Sequence, residues 1–407
     1  MNDGGPAQRA VRRLTAYEIP ISLKRPVRHA SHTRVSTDSI FVRCELTDGT
    51  VGWGEGLPRT YVTGDSIATA WRHLEATDFS PILSAFVSNV QEAVDAIQRV
   101  RIGGVLPDPG IQARECFGNS VRCAIEIAYL DAFCRSFGQP FGAVAECVPE
   151  AGPLLEKANE VFYSGVVTAQ SGFPLFRSAL KMRLFGFRSV KVKVGTRGID
   201  DRHILSTVRR VCGRSVNLRL DANEAWTCDE VVARVEPLLR LRPTSLEQPV
   251  PHAEVSGLAN VRKQVQVPIM LDESLCSLED AQRSVDGESC DLFNLRLSKC
   301  GGYIPCLKLA AFAAQHGLGW QLGCQVGETG ILSAAGRHFA CNVGGIRYLE
   351  GSYDRFLVQD RLTSEDITFG HGGKAPRLTN PGLGVTVDEE HVRRLAARSE
   401  IVATADT

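Results

Sequence analysis

The feature that most constrains this chain is a series of short apolar runs closed by charged residues at a nearly constant interval. Lys191 and Lys193 lie in VKVKVG, Asp221 closes LRLD, Glu247 closes SLE and Asp272 closes IMLD. From Lys193 onward the steps are 28, 26 and 25 residues, each the length of one strand plus one helix. Amphipathic stretches such as DRHILSTVRRVC and DEVVARVEPLLRLR fill the gaps. The runs DLFNLRLSKCGG, LGWQLGCQVGET and IRYLEG continue the alternation, with IPCLKLAAFAAQHG between two of them. Repeating strand–helix units imply a parallel sheet. Seven strands are read this way and EVFYSGVVTA, around Val161, supplies an eighth. Eight units close a (β/α)8 barrel, with an open doubly wound sheet as the alternative.

The first 150 residues or so follow a different rhythm. LTAYEIPISL, DSIFVRCEL and VGWGEG alternate in strand fashion, and Asp48-Gly49 signals a hairpin. Helical spacing then takes over in SVRCAIEIAYLDAFCRSFG, where Val121, Ile125, Ala128, Leu130 and Phe133 make an apolar face ended by Gly138-Gln139-Pro140. This reads as an α+β domain. The expected division is a disordered lead over residues 1–10, an α+β domain over 11–150, a barrel over 151–360 and a C-terminal segment over 361–407.

Lys plus Arg (46) balance Asp plus Glu (46), so nothing in the net charge points to nucleic acid or an anionic membrane. The 13 cysteines are scattered without a C-x-x-C pair, and several sit in apolar segments. That usage fits free thiols in a reducing cytoplasm. The N-terminus lacks an apolar signal core and no 18-residue apolar run follows.

Charged groups at equivalent ends of neighbouring barrel strands meet at one mouth, the C-terminal face where barrel enzymes keep their active sites. Three converging carboxylates cannot all stay ionised without compensation. An oxygen-seeking octahedral cation is the expected solution: Mg2+, with Mn2+ as a substitute, on Asp221, Glu247 and Asp272. Lys191 and Lys193, two apart, share one strand face. Their mutual repulsion near a dication is expected to lower a lysine pKa and free a base.

These residues resemble the enolase superfamily and, within it, the muconate lactonizing (muconate cycloisomerase) subgroup. GTVGWGEGLP and AIEIAYLDAFCRSFGQP are similar to its capping domain, and KVKVG, LRLDANEAW, SLEQPV, IMLDESL and NLRLSKCGG to its barrel strands two to six. Each motif is weak alone; in this order and spacing they are specific. The resemblance implies a modified (β/α)8 barrel with an α+β N-terminal capping domain that the C-terminal segment completes. It implies Mg2+ on Asp221, Glu247 and Asp272, with Asn223 beside them. It also implies Lys193 as the base that removes a proton α to a substrate carboxylate, the enolate being stabilised by metal and lysines.

One position departs from the subgroup's pattern. Where a second catalytic lysine is usual on strand six, this chain has Arg296 in Asn294-Leu295-Arg296-Leu297-Ser298-Lys299. Arginine stays protonated and is a poor proton acceptor. One-base chemistry (cycloisomerisation, dehydration or β-elimination) is therefore the first expectation. Amino-acid or dipeptide racemisation or epimerisation is the alternative, and a non-catalytic enolase-like barrel the second alternative. Glu328 and Glu350, at the ends of strands seven and eight, are candidate supports for substrate or lysine. The Asp-x-Asp with which dipeptide epimerases of the subgroup grip an ammonium group is absent. Residues 25–34, with Arg28, His29, His32 and Arg34, form a cationic candidate lid, and Tyr61 and Thr63 a second lid segment. The expected partner is a small carboxylate substrate, with no nucleic acid or membrane, in a homo-oligomer.

Overall fold

The structure, a computed structural model, describes residues 8–28, 33–168 and 171–405. The β-branched runs at the chain start form an antiparallel sheet in the order Arg398–Thr404, Val11–Arg28, Thr33–Leu46, Val51–Gly56. At the Asp48-Gly49 turn the Leu46 N–H donates to the Thr50 carbonyl at 2.9 Å, and Gly49 takes a φ of +86° that suits glycine. The terminal strand brings the chain's end to its start, with Thr404 beside Arg13. Arg9 and Val87 exchange two 2.8 Å backbone hydrogen bonds. The expected lead of ten residues is thus ordered at its inner end.

Gly52, Gly54 and Gly56 fall on one face of their strand, and a helix, Asn119–Ser136, lies directly on it. A Cβ at any of the three would collide with helix backbone at Ala132, Ala124 or Ser120. The helix has barrel elements on its other side and is buried almost all round, beyond the single apolar face that its spacing predicts. Its two buried acids fasten it. Asp131 accepts from the backbone N–H of Trp53 (2.9 Å) and Leu383 (2.7 Å), and Glu126 from that of Ile304 (3.0 Å). A buried carboxylate that accepts backbone N–H groups trades its desolvation cost for charge-assisted hydrogen bonds.

The eight-stranded parallel sheet runs Gly165–Val167, Ser189–Lys193, Asn217–Asp221, Pro243–Glu247, Ile269–Leu271, Leu292–Leu295, Gly319–Leu322 and Ile346–Leu349, each paired with its sequence neighbour. Its first and last members meet: the Ser164 N–H donates to the Leu349 carbonyl at 2.8 Å, and the Tyr353 hydroxyl donates to the Ser164 carbonyl. The predicted strand EVFYSGVVTA divides in two. Glu160–Phe162 pairs antiparallel with Lys374–Pro376, and Gly165–Val167 enters the barrel. The parallel register sets Lys193 beside Asp221 and Asp221 beside Glu247. Val190 and Val192 take the opposite, fully buried face.

The capping sheet reaches the barrel mouth through Glu55. Its buried carboxylate accepts from Thr329 Oγ1 (2.7 Å), Thr329 N–H (3.0 Å) and Leu332 N–H (3.2 Å), at the start of the helix Gly330–Asn342. Burial raises its pKa to about 7. No helix among the described residues is long and apolar enough to cross a membrane. If the glycine face sets the seat of the helix, Gly54→Ala lowers stability by about 1–3 kcal/mol or more in urea titration, as overpacking does. An unchanged midpoint would show that the sheet and helix can part at little cost.

Candidate active site

The site is built on strand ends two to eight, and its members are nearly all buried. Lys193, with 22% of its side chain exposed, places Nζ 2.7 Å from Asp221 Oδ2 and donates to Asn223 Oδ1. Lys191, one layer deeper, lies 2.8 Å from Glu350 Oε2, 3.2 Å from Asp221 Oδ2 and 3.4 Å from Glu247 Oε1. Across the mouth Arg296 pairs with Asp272 Oδ2 and stands 3.6 Å from Glu247 Oε1. The structure thus gathers Lys191, Lys193, Asp221, Asn223, Glu247, Asp272, Arg296 and Glu350 around one mouth. Glu328 stands at its edge. His29 and His32 of the candidate lid lie outside the described residues.

Burial pulls the Lys191 pKa down, but Glu247, Glu350 and Asp221 together hold it well above the usual lysine value. The same balance holds Arg296 far above the ordinary range, with Asp272, Glu273 and Glu247 overcoming burial. Among the acids, burial works to raise Asp221, and Lys193 and Lys191 outweigh it, so the group is lowered. Glu247 moves the other way, to about 8, through burial and the neighbouring Asp221.

Four supporting residues escaped the sequence reading. Arg219, fully buried, lies 2.8 Å from Glu350 Oε1 and donates to Gln321 Oε1 at 2.6 Å. Its signal was available: it stands two residues before Asp221, as Lys191 stands before Lys193, and so shares the inward face. Lys299 donates to the Asp272 carbonyl (2.6 Å), Asp272 Oδ1 (2.9 Å) and the Asn294 carbonyl (2.8 Å), and so anchors that acid. Gln248, at a φ of +37°, accepts the Asp272 N–H (2.9 Å) and donates to Ser274 Oγ (2.8 Å). Glu273, also buried, accepts from Asn223 Nδ2 at 3.2 Å. In the second lid segment, Tyr61 lies under the Arg34 guanidinium, 5.3 Å from ring centroid to carbon. Thr63 instead turns inward onto Asp65 at 2.9 Å.

The donor set suits a hard divalent cation. Asp221, Glu247 and Asp272 offer only oxygen, and Glu247 Oε2 is buried without a hydrogen-bond partner, a costly state that a cation relieves. As placed, no group of three or more His, Cys, Asp or Glu among the described residues is gathered to hold an ion. Lysine and Arg296 ammonium and guanidinium groups neutralise these carboxylates instead.

The Enolase C-terminal domain-like family matches residues 175–391 of the chain. This chain belongs to the enolase superfamily, and the (β/α)8 barrel with its antiparallel capping sheet is that superfamily's architecture. Among its relatives, N-succinyl-L-Arg/Lys racemase of Bacillus cereus is 26% identical over 95% of this chain and 98% of its own length. The crystal structure of that racemase superposes with a TM-score of 0.81, covering 97% of this chain and all of the other, at 24% identity. Hydrophobic dipeptide epimerase of Enterococcus faecalis is 30% identical over 79% of this chain and 84% of its own. A dipeptide epimerase from that organism, solved with Mg and L-Leu-L-Tyr, gives a TM-score of 0.77 over 93% and 99% of the two chains, at 26% identity. These names side with the racemase and epimerase alternative over the elimination or cyclisation expected first.

Glu350 joins Lys191 to Arg219, and losing one member of a buried charge cluster leaves the others uncompensated. Glu350→Gln should therefore cost about 3–5 kcal/mol of stability in chemical denaturation. A loss below about 1 kcal/mol would mean that Arg219 finds another partner.

Proposed function

We propose that this chain is a Mg2+-dependent isomerase that racemises or epimerises the carbon α to a substrate carboxylate, with an N-acylated amino acid as the substrate class. The observation that carries the reading is Lys193: it is the partly exposed ammonium group at the mouth, held by Asp221 and Asn223 opposite Arg296. Asp221, Glu247 and Asp272 would hold the metal, which supplies Lewis-acid stabilisation of the enolate oxygens. The chain's own groups do the rest. Lys193, once neutral, takes the α-proton. Lys191 and Arg296 are fixed cations that keep the mouth electropositive as negative charge develops.

The N-acyl reading rests on Glu350. Both of its oxygens are committed to Lys191 and Arg219, so the end of strand eight offers no acid for a substrate ammonium group. An acylated nitrogen carries no charge and needs no such partner. The name of the Bacillus cereus relative agrees. Arg296 favours a second reading, in which one base starts an elimination or cyclisation and the arginine binds the leaving anion.

The test is exchange of the α-proton in D2O with Mg2+, using a panel of N-acyl amino acids headed by N-succinyl-arginine. Wild type should exchange and invert at least one member of the panel. Lys193→Ala should lower exchange of the enantiomer whose proton faces strand two by about 100-fold or more. Full exchange of both enantiomers in that variant removes Lys193 from its role. Exchange followed by loss of a leaving group would favour the second reading.

A further inference from the structure

The loop that follows Asp272 is held at both ends by one stretch of the capping domain. Arg114 donates to the Glu273 carbonyl at 3.0 Å, one residue past Asp272, and pairs with Asp280 at 2.8 Å. Asp280 accepts the Cys276 N–H at 2.9 Å. The Cys276 carbonyl in turn accepts from Asn119 Nδ2, also at 2.9 Å. Asn119 is the first residue of the long helix Asn119–Ser136. Behind it Gly118, at a φ of +94°, donates its N–H to the buried Asp65 at 2.8 Å and fixes where the helix begins.

The same Nδ2 donates to a second carbonyl, that of Lys299 at 2.8 Å, in the turn after strand six. Both neighbours are carbonyls and can only accept, so the atom facing them is the amide nitrogen, with both hydrogens used. The amide oxygen lies against Gly301, where a Cβ would stand 2.8 Å from it. A second capping residue braces this turn, since the Leu57 N–H donates to Ser298 Oγ at 2.8 Å. Lys299 carries the effect to the mouth. It is fully buried, and its ammonium group donates to Asp272 Oδ1 (2.9 Å), the Asp272 carbonyl (2.6 Å) and the Asn294 carbonyl (2.8 Å). Asp272 Oδ1 is thereby committed, and Oδ2 is the oxygen turned to Arg296 at the mouth. One amide thus ties the end of strand five, with Asp272, to the end of strand six, with Lys299 and Arg296. The buried acids of the capping domain act elsewhere: Glu55 on the turn after strand seven, Glu126 on the helix Tyr303–Gln315.

We propose that Asn119 is a positioning residue of the metal site, through which the capping domain sets Asp272 against the turn after strand six. Without its amide, the Cys276 and Lys299 carbonyls lose their shared donor and the two strand ends are free to part. Lys299 moves with its turn and draws Asp272 out of line. Groups that hold a metal ligand in place typically account for about 10–100-fold in metal affinity. The proposal rests on the assignment of Asp221, Glu247 and Asp272 as metal ligands, and it holds whichever reaction follows.

The test is binding of Mg2+ alone to the whole chain, by isothermal titration calorimetry without substrate. Asn119→Ala should raise the Kd by about 10-fold or more. Asn119→Leu keeps the bulk, has no donor and should weaken binding to the same degree, so either variant that folds serves. Glu55→Ala loosens the same pair of domains at strand seven. It should lower the thermal midpoint and leave the Mg2+ affinity at its wild-type value. A wild-type Kd in folded Asn119→Ala or Asn119→Leu overturns the proposal. An equal loss of affinity in Glu55→Ala also overturns it, because the effect then belongs to domain contact in general. A wild type that binds no Mg2+, or an Asp272→Ala variant that binds it equally well, overturns the metal assignment itself, and the role of Asn119 with it.

Discussion

The structure depends on burying opposite charges together at one end of a barrel. Parallel register puts Lys193, Asp221 and Glu247 side by side, and cross-mouth contacts add Arg219, Glu350, Arg296, Asp272 and Lys299. No single one of these groups could be buried alone, because an isolated buried charge costs far more than a surface ion pair returns. With Lys191 the named groups are five cations and four carboxylates, so each acid is buried beside at least one cation.

The capping domain is part of the same arrangement. The glycine face of Val51–Gly56 lets the helix Asn119–Ser136 approach the sheet closely, and the helix in turn rests on barrel elements through Glu126. Glu55 continues from that strand into the turn after strand seven. Arg59 and Gly327 hold the same turn from the other side. The position of Glu328 is therefore set by two domains, and a shift in their packing would move it.

Much of this was legible in the sequence because it is local. The Asp48-Gly49 hairpin, the strand–helix alternation and the acids at strand ends each depend on a few adjacent residues. What escaped depends on distant ones. The strand near Val161 divides because Lys374–Pro376 captures its first half, more than 200 residues away. The pull on Lys191 is likewise non-local, since it comes from three carboxylates on other strands. The hold of Lys299 and Gln248 on Asp272 joins different strands, so neither residue's own neighbourhood reveals it. Arg296 argues against two-base chemistry, whereas the named relatives are racemases and epimerases.

The central claim is that Asp221, Glu247 and Asp272 are the seat of a divalent cation, now neutralised by cationic side chains. A crystal structure at saturating Mg2+ tests it most directly. The account predicts one ion about 2.0–2.1 Å from an oxygen of each of the three acids, with Arg296 withdrawn from Asp272. An ion bound elsewhere, or Arg296 still paired with Asp272 at saturation, would contradict it.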